Sequence, residues 1–263
     1  MAAVCWGAWA VAEINPQAVV IVLPADAHIT DVKKFKEAIL EAVSLAQNKK
    51  RIVCLGIKPT FAATGYGYIQ NGEPLQNGHT IARFIEKPPV EKAAEYFETG
   101  EYTWNAGIFV FNVSVLKEEV REHSAEFAKF FDENVLQPKN LKSKYKSLPK
   151  ISVDVALMEK SRKGAVVKGD FGWNDIGSWR ALEEVLTQGP EGVLQTPGGH
   201  LALDCEGLIV NASPGKFVGL IGLKDLIIVE TKDALLVCPK ERAEQVKDLV
   251  GLMEKHSKWK KRL

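Results

Sequence analysis

Residues 18–26 read AVVIVLPAD, a run of apolar and largely β-branched side chains that ends on an acid. Unbroken apolar character over so short a stretch is the pattern of a strand covered on both faces, as in a parallel sheet. Asp26 then stands at the carboxyl end of that strand, where open α/β sheets receive their ligands. Downstream, DVKKFKEAILEAVSLAQ (31–47) places Phe35, Ile39, Ala42 or Val43, and Ala46 at helical spacing, and RIVCLGIKP (51–59) is a second apolar strand. Strand, helix, strand is the crossover unit of an α/β domain. Upstream, MAAVCWGAWAVAEINP (1–16) predicts a helix from Met1 to about Ile14, closed by Pro16. It lacks a basic lead-in, and Glu13 ends the apolar stretch short of a membrane span. An apolar helix opening directly at Met1 suggests a chain that starts partway into a domain.

Past Pro59 the texture changes. TGYGYIQ (64–70) and HTIARFIE (79–86) read as short antiparallel strands over one edge of the main sheet, with Asn71-Gly72 and Asn77-Gly78 as turns. VEKAAEYFETG (90–100) is a helix closed by Gly100, and YTWNAGIFVFNVS (102–114) another apolar strand. Residues 114–135 are expected to be largely helical, and 141–150 a basic, irregular connection. ISVDVALMEKS (151–161) opens a short helix. AVVKGDFGWNDIGSWRALEEVL (165–186) supplies a strand, a glycine-punctuated loop and a helix with Trp179, Leu182 and Leu186 on one face. Short strands broken by Gly, Asn and Asp turns come next, with no exact repeat period, and a helix from about Glu241 to Lys255 closes the chain. The expected division is an α/β domain over 1–191 and a small β-rich tail over 192–263.

Thirty-four basic against 33 acidic side chains give a net charge of +1, which argues against a general nucleic-acid binder. The basic ending KHSKWKKRL (255–263) reads as a solvated helix end. The four cysteines form no CxxC pair or zinc spacing, and Cys54 and Cys238 sit in apolar runs as buried thiols would, so a reducing, cytoplasmic setting fits. Five scattered histidines assemble no catalytic triad. No phosphate-cradling glycine loop follows the first strand.

Asp26 and Asp175 are the leading candidates for chemistry. Each adjoins a β segment, and in an α/β domain such positions converge on one crevice. Two neighbouring carboxylates repel unless a cation or a proton lies between them, and Mg2+, held by one or two carboxylates plus substrate phosphate, suits that arrangement. The plainer reading of either Asp is a turn residue bonding backbone N–H groups. Glu86 offers an acceptor to sugar hydroxyls and Lys87 a mobile cation to phosphate; an exposed strand exit explains the pair equally simply. Small residues in Gly65-Tyr-Gly67 and Asn105-Ala-Gly107 let a ligand approach the backbone, as an ordinary turn also would. Trp104, Trp173 and Trp179 are either pocket walls or core. His28, close after Asp26, reads either as a ligand or base or, more simply, as a cap for the helix after it.

Taken together, LPAD, TGYGYIQ, FIEKP, WNAGIFVF, SVDVALMEKS, GDFGWNDIGSW and GLKDLIIVETKDALLVCP, in that order, resemble the mannose-1-phosphate guanylyltransferases, also called GDP-mannose pyrophosphorylases. FIEKP alone marks the wider sugar nucleotidyltransferases; WNDIGSW and DALLVCP are specific to the mannose enzymes. The resemblance implies a Rossmann-like nucleotidyltransferase domain with a mixed sheet, then a short β-helix-like tail, often paired into dimers. It implies transfer of GMP from GTP to mannose 1-phosphate, giving GDP-mannose and pyrophosphate with Mg2+. By matching motifs, Asp26 and Asp175 hold the metal, Lys87 serves catalysis, and Gly67, Glu86, Lys87, Asn105 and Asp175 line the sugar-phosphate site. Asp154 matches an acid nearby.

The sequence departs from that pattern in three places. The family's opening strand and glycine-rich loop have no counterpart here. The family strand is central, so its absence predicts exposed apolar surface and unpaired backbone beside Val19–Leu23 and either low stability or completion by a second copy or a complementing subunit. Without the triphosphate grip, turnover by this chain alone is not expected. The alternatives are a non-catalytic sugar-phosphate-binding or regulatory subunit, or a fragment of a longer enzyme. Ala27 precedes His28 where the family has His directly after the Asp, and Phe61-Ala62-Ala63 replaces the family's Pro and Glu.

Overall fold

The computed structural model describes residues 1–48, 50–135, 144–177, 179, 181–186, 189 and 191–260. They pack as two units, Met1–Trp173 and Asn174–Leu263. The sequence division at 191/192 marks the change of texture. The packing boundary lies after Trp173, because the short helix near residue 183 packs against the strand Gly192–Gln195 and Glu183 pairs with Lys240.

In the first unit α1 (Ala2–Ile14) leads to β1 (Val19–Val22), β2 (His28–Ile29), α2 (Val32–Asn48) and β3 (Ile52–Ile57). A hairpin of β4 (Tyr68–Leu75) and β5 (Gly78–Ile85) comes next, then α3 (Val90–Thr99) and the long β6 (Tyr102–Asn112). After these stand α4 (Val113–His123), α5 (Ala125–Asn134), a π turn at Asp154–Met158, β7 (Gly164–Gly169) and β8 (Trp173–Asn174). The main sheet has the order β1-β6-β3-β7-β5-β4, with β4 also pairing β6. Only β3 and β7 run parallel; the other pairings are antiparallel, so the sheet is mixed.

Each sheet face carries helices. On one, Cys5, Ala8 and Trp9 of α1 join Leu116 and Val120 of α4 and Phe127 and Phe131 of α5 over Ile52, Cys54 and Phe111. On the other, Ala38, Ala42 and Leu45 of α2 cover Val53, Leu55, Val110 and Val167. The central strands β3, β6 and β7 are largely apolar because both sides of the sheet are dry there.

Several expectations are revised. β1 is the edge of its sheet, with Ile21 42% and Leu23 52% exposed, as the departure from the family pattern predicts and unlike the covered strand read from composition, since no strand among the described residues pairs its outer side. Its single partner, β6, is antiparallel, so the apolar run there reports an edge rather than a covered parallel strand. Asn71-Gly72 makes no turn. It lies inside β4 at a register shift, held by the Asn71 side chain donating to the Glu101 carbonyl at 2.6 Å, and the chain reverses only at Asn77. The helical stretch after residue 113 is broken at Ser124, whose φ of −151° leaves the helical region. Asp31, not His28, caps α2, its Oδ1 accepting the Lys34 N–H at 3.0 Å. Residues 136–143 of the connecting segment lie outside the described residues.

In the second unit α6 (Ala181–Val185) precedes β9 (Gly192–Gln195), β10 (His200–Leu203), β11 (Leu208–Asn211), β12 (Val218–Ile221), β13 (Leu226–Glu230) and β14 (Leu235–Pro239). α7 (Val246–Lys255) comes after a 3-10 turn. Trp179 precedes α6, which is too short to carry it. β9, β11 and β13 stack in parallel, and β10 and β12 form a second parallel pair, as in a β-helix. Ile209 faces Ile227 and His200 faces Val218, so successive coils repeat after eighteen residues, whereas Gly192 faces Leu208 after sixteen. The repeat preserves inward apolarity, through Leu208, Val210 and Leu220, rather than residue identity. That is why no exact period is visible in the sequence. Cys238 is half-buried on β14, while Cys5 and Cys54 are fully buried, and all four thiols are free.

Candidate active site

Three adjacent strands deliver the site in the first unit. The β4 register sets Tyr68 opposite both Ile85 of β5 and Trp104 of β6. The next residue on each strand therefore falls side by side: Gly67, Glu86 and Asn105. The Asn105 N–H donates to the Gly67 carbonyl at 2.8 Å. A Cβ at Gly67 would lie 2.8 Å from Glu86 Oε2 and 3.4 Å from Asn105 Cβ, so the missing side chain is what leaves space between them.

The polar groups interlock. Asn105 Nδ2 donates to Asp154 Oδ1 at 2.9 Å, and Asn105 Oδ1 accepts the Gly107 N–H at 3.0 Å. Lys87 Nζ lies 3.6 Å from Glu86 Oε1, and the Glu86 backbone N–H donates to Glu159 Oε1 at 3.3 Å. Burial pushes the Glu86 carboxyl above its ordinary range, Asp154 adds to the rise, and Lys87 partly opposes it. Beneath them burial, with Asp154 assisting, pushes the Cys54 thiol far up, so it is an inert core sulfur.

Aromatic rings wall one side. Tyr66 stands 4.9 Å from Trp104 and 5.4 Å from Trp173 between ring centroids, and Phe61 stands 5.0 Å from Trp104. The indole N–H groups of Trp104 and Trp173 are buried without a hydrogen-bond partner among the described residues. Orphaned donors of this kind are costly unless a ligand or water meets them.

Five candidates, Gly67, Glu86, Lys87, Asn105 and Asp154, are thus one cluster. Asp26 lies at the same end of the sheet as Gly107: the antiparallel register of Val22 with Phe109 carries Pro24 alongside Gly107, where a Cβ would touch Pro24 Cγ at 3.4 Å. Its carboxylate is exposed and accepts no hydrogen bond among the described residues, a state suited to a hard cation. The loop after it is anchored by Thr30 N–H to the Gly172 carbonyl at 3.3 Å and Asp31 N–H to the Phe171 carbonyl at 3.0 Å. Asp175 belongs to the second unit, where its Oδ1 accepts the Gly177 N–H at 3.1 Å beside Ile176, whose φ is +46°. A carboxylate has about four lone-pair sites, so this turn bond is compatible with metal ligation. Ser178 and Arg180 lie outside the described residues.

Sequence reasoning missed Glu159. Its only sequence signal is a position five residues beyond Asp154, a spacing that puts two side chains on different faces of an α-helix.

Residues 1–191 match the nucleotidyl transferase family, and residues 198–253 match the mannose-phosphate isomerase/GMP-like β-helix domain. The chain belongs to the nucleotidyl transferase family. It is 36% identical to a putative mannose-1-phosphate guanylyltransferase of Vibrio cholerae, over 94% of this chain and 54% of that one. It is 35% identical to mannose-1-phosphate guanylyltransferase RfbM of Salmonella typhimurium, over 93% and 52%. The chain therefore spans about half the length of the curated relatives it matches. A crystal structure described as mannose-1-phosphate geranyltransferase from Thermus thermophilus superposes with a TM-score of 0.85 at 34% identity, covering 97% of this chain and 75% of that one. The α/β domain with a mixed sheet and the β-helix-like tail read from the sequence are both present. Among the described residues, no helix of this nucleotidyl transferase is long and apolar enough to cross a membrane.

Proposed function

We propose that this chain forms the sugar-phosphate site of an enzyme that transfers GMP from GTP to mannose 1-phosphate. The observation that carries the reading is the convergence of Glu86, Lys87, Asn105 and Asp154 around the space left by Gly67. In the reaction a phosphate oxygen of mannose 1-phosphate forms a bond to the α-phosphorus of GTP. The bond from that phosphorus to the β-phosphate oxygen breaks, and pyrophosphate leaves with the electron pair. No proton need move, since the nucleophile is already an anion. The protein's task is to hold two polyanions in line and offset their charge.

Each residue has a role in that task. Glu86 accepts from sugar hydroxyls, Asn105 is fixed by Asp154 so that its remaining amide capacity is directed, and Lys87 meets the phosphate. Lys87 is exposed enough to move with its ligand. Asp26 is the carboxylate of the first unit that we assign to Mg2+; Asp175, in the second unit, is a separate candidate. When bound, magnesium neutralises phosphate charge as the α-phosphorus is attacked. A cytoplasmic setting and pairing with a second copy or a complementing subunit belong to the same proposal.

Calorimetry of the purified chain with mannose 1-phosphate, and with GTP and Mg2+, tests it, together with chromatography for GDP-mannose. Binding of the sugar phosphate, lost on Lys87→Ala, is the expected result. Product that disappears on chelation of Mg2+ would establish the full reaction. Sugar-phosphate binding without GTP binding would instead assign a non-catalytic subunit. No binding of either ligand ends the proposal.

A further inference from the structure

The Glu159 N–H donates to the Asp154 carbonyl, five residues back, at 3.0 Å, which makes Asp154–Met158 a π turn. In an α-helix, at about 100° per residue, side chains five apart point about 140° away from each other. Closing the hydrogen-bonded ring over five residues returns the sixth side chain nearly to the face of the first. Here both carboxylates reach the cluster: Asp154 holds the Asn105 amide, and Glu159 holds the backbone N–H of Glu86. The residue after that N–H, Lys87, has φ +44°, a left-handed conformation that a residue with a Cβ adopts only when its surroundings enforce it.

We propose that Glu159 is a positioning residue: by gripping the Glu86 N–H it fixes the Glu86–Lys87 corner, and so sets where the carboxylate and the ammonium meet the ligand. The π turn makes this grip possible, since an α turn would aim Glu159 elsewhere. Glu159 is itself exposed and no part of the core. The ligand named here rests on the sugar-phosphate reading above; the grip on the corner does not. Glu159 also adds a minor push to the Glu86 carboxyl, behind burial and Asp154 and against Lys87, which gives the contact a spectroscopic signature.

Wild-type protein, Glu159→Ala and Glu159→Gln are compared by amide hydrogen exchange at Glu86, by carboxyl-carbon NMR titration of Glu86 and by calorimetry with mannose 1-phosphate. Glu159→Ala should exchange the Glu86 amide roughly threefold faster or more. It should also lower the Glu86 midpoint and weaken sugar-phosphate binding about tenfold, the loss of one charge-assisted anchor. Glu159→Gln keeps an acceptor oxygen, so amide protection and most affinity should survive while the midpoint still falls. Unchanged Glu86 exchange in Glu159→Ala overturns the proposal, as does equal loss of affinity in the two variants. If the alanine variant does not fold, Glu159→Ser, too short to reach the Glu86 N–H, replaces it: faster exchange at Glu86 supports the grip, and unchanged exchange refutes it. Should wild-type protein bind no mannose 1-phosphate while the exchange results hold, the grip stands and the sugar-phosphate reading falls.

Discussion

Replacing Gly67 with alanine separates a binding role from a structural one. The new Cβ would sit 2.8 Å from Glu86 Oε2, closer than such atoms approach, while its next contacts, Asn105 Cβ at 3.4 Å and the Ile85 carbonyl at 3.5 Å, are tolerable. What must move is the far end of a flexible side chain, at an off-rotamer cost of about 0.5–1.5 kcal/mol. Gly67 is not in the left-handed region, so alanine fits the backbone and lowers the entropy of the unfolded chain by about 0.4–1 kcal/mol. The two effects nearly cancel, and thermal denaturation should show a stability change within about 1 kcal/mol. Binding should behave differently. Displacing Glu86 forfeits hydrogen bonds to a charged acceptor worth about 1.5–3 kcal/mol, or roughly ten- to a hundredfold in affinity for mannose 1-phosphate by calorimetry. Because the damage runs through Glu86, Gly67→Ala should add little in a Glu86→Ala background. Undiminished affinity in the single variant, or fully additive losses in the double, would refute the geometry of the site.

Other consequences concern stability. Trp9 is fully buried and its N–H donates to Asp132 Oδ1 at 2.7 Å, so Trp9→Phe should cost about 2–4 kcal/mol in chemical denaturation; a loss below about 1 kcal/mol would detach α1 from the core. Gly192 has φ +123°, and a Cβ there would lie 2.1 Å from the Leu208 carbonyl oxygen, which is backbone and cannot yield. Gly192→Ala should therefore cost at least about 3 kcal/mol or abolish cooperative melting of the second unit, and a calorimetric scan resembling wild type would disprove the β9–β11 register. The Glu86 carboxyl, raised by burial and Asp154, binds a proton more readily folded than unfolded. Its charge thus opposes folding once pH exceeds the folded pKa, and the penalty vanishes below the unfolded value, about 4.3. Glu86→Gln should raise the melting temperature at pH 7 but not at pH 4; equal shifts at both would exclude this origin.

The sequence by itself determined the elements that local physics controls. Short β-branched apolar runs such as Val19–Val22 and Ile52–Ile57 favour strands, the 3.6-residue spacing of α2 favours a helix, and Gly100, at φ +67°, stops α3 where a left-handed residue was expected. Glu86, Lys87 and Asn105 could be nominated because polar groups at the ends of apolar strands converge on one edge of a sheet. Tertiary structure alone decided the rest. The composition of β1 reads as a covered strand, and only the departure from the family pattern pointed to its open edge, because what lies beside a strand is a non-local fact. Asn71-Gly72 favours a turn locally, and the distant Glu101 carbonyl overrides it. The coils of the second unit repeat in which side chains face inward, not in identity, so only their stacking reveals the period. Glu159 joins the site because a single turn hydrogen-bonds over five residues instead of four, and a sequence read at helical spacing sends that carboxylate the other way.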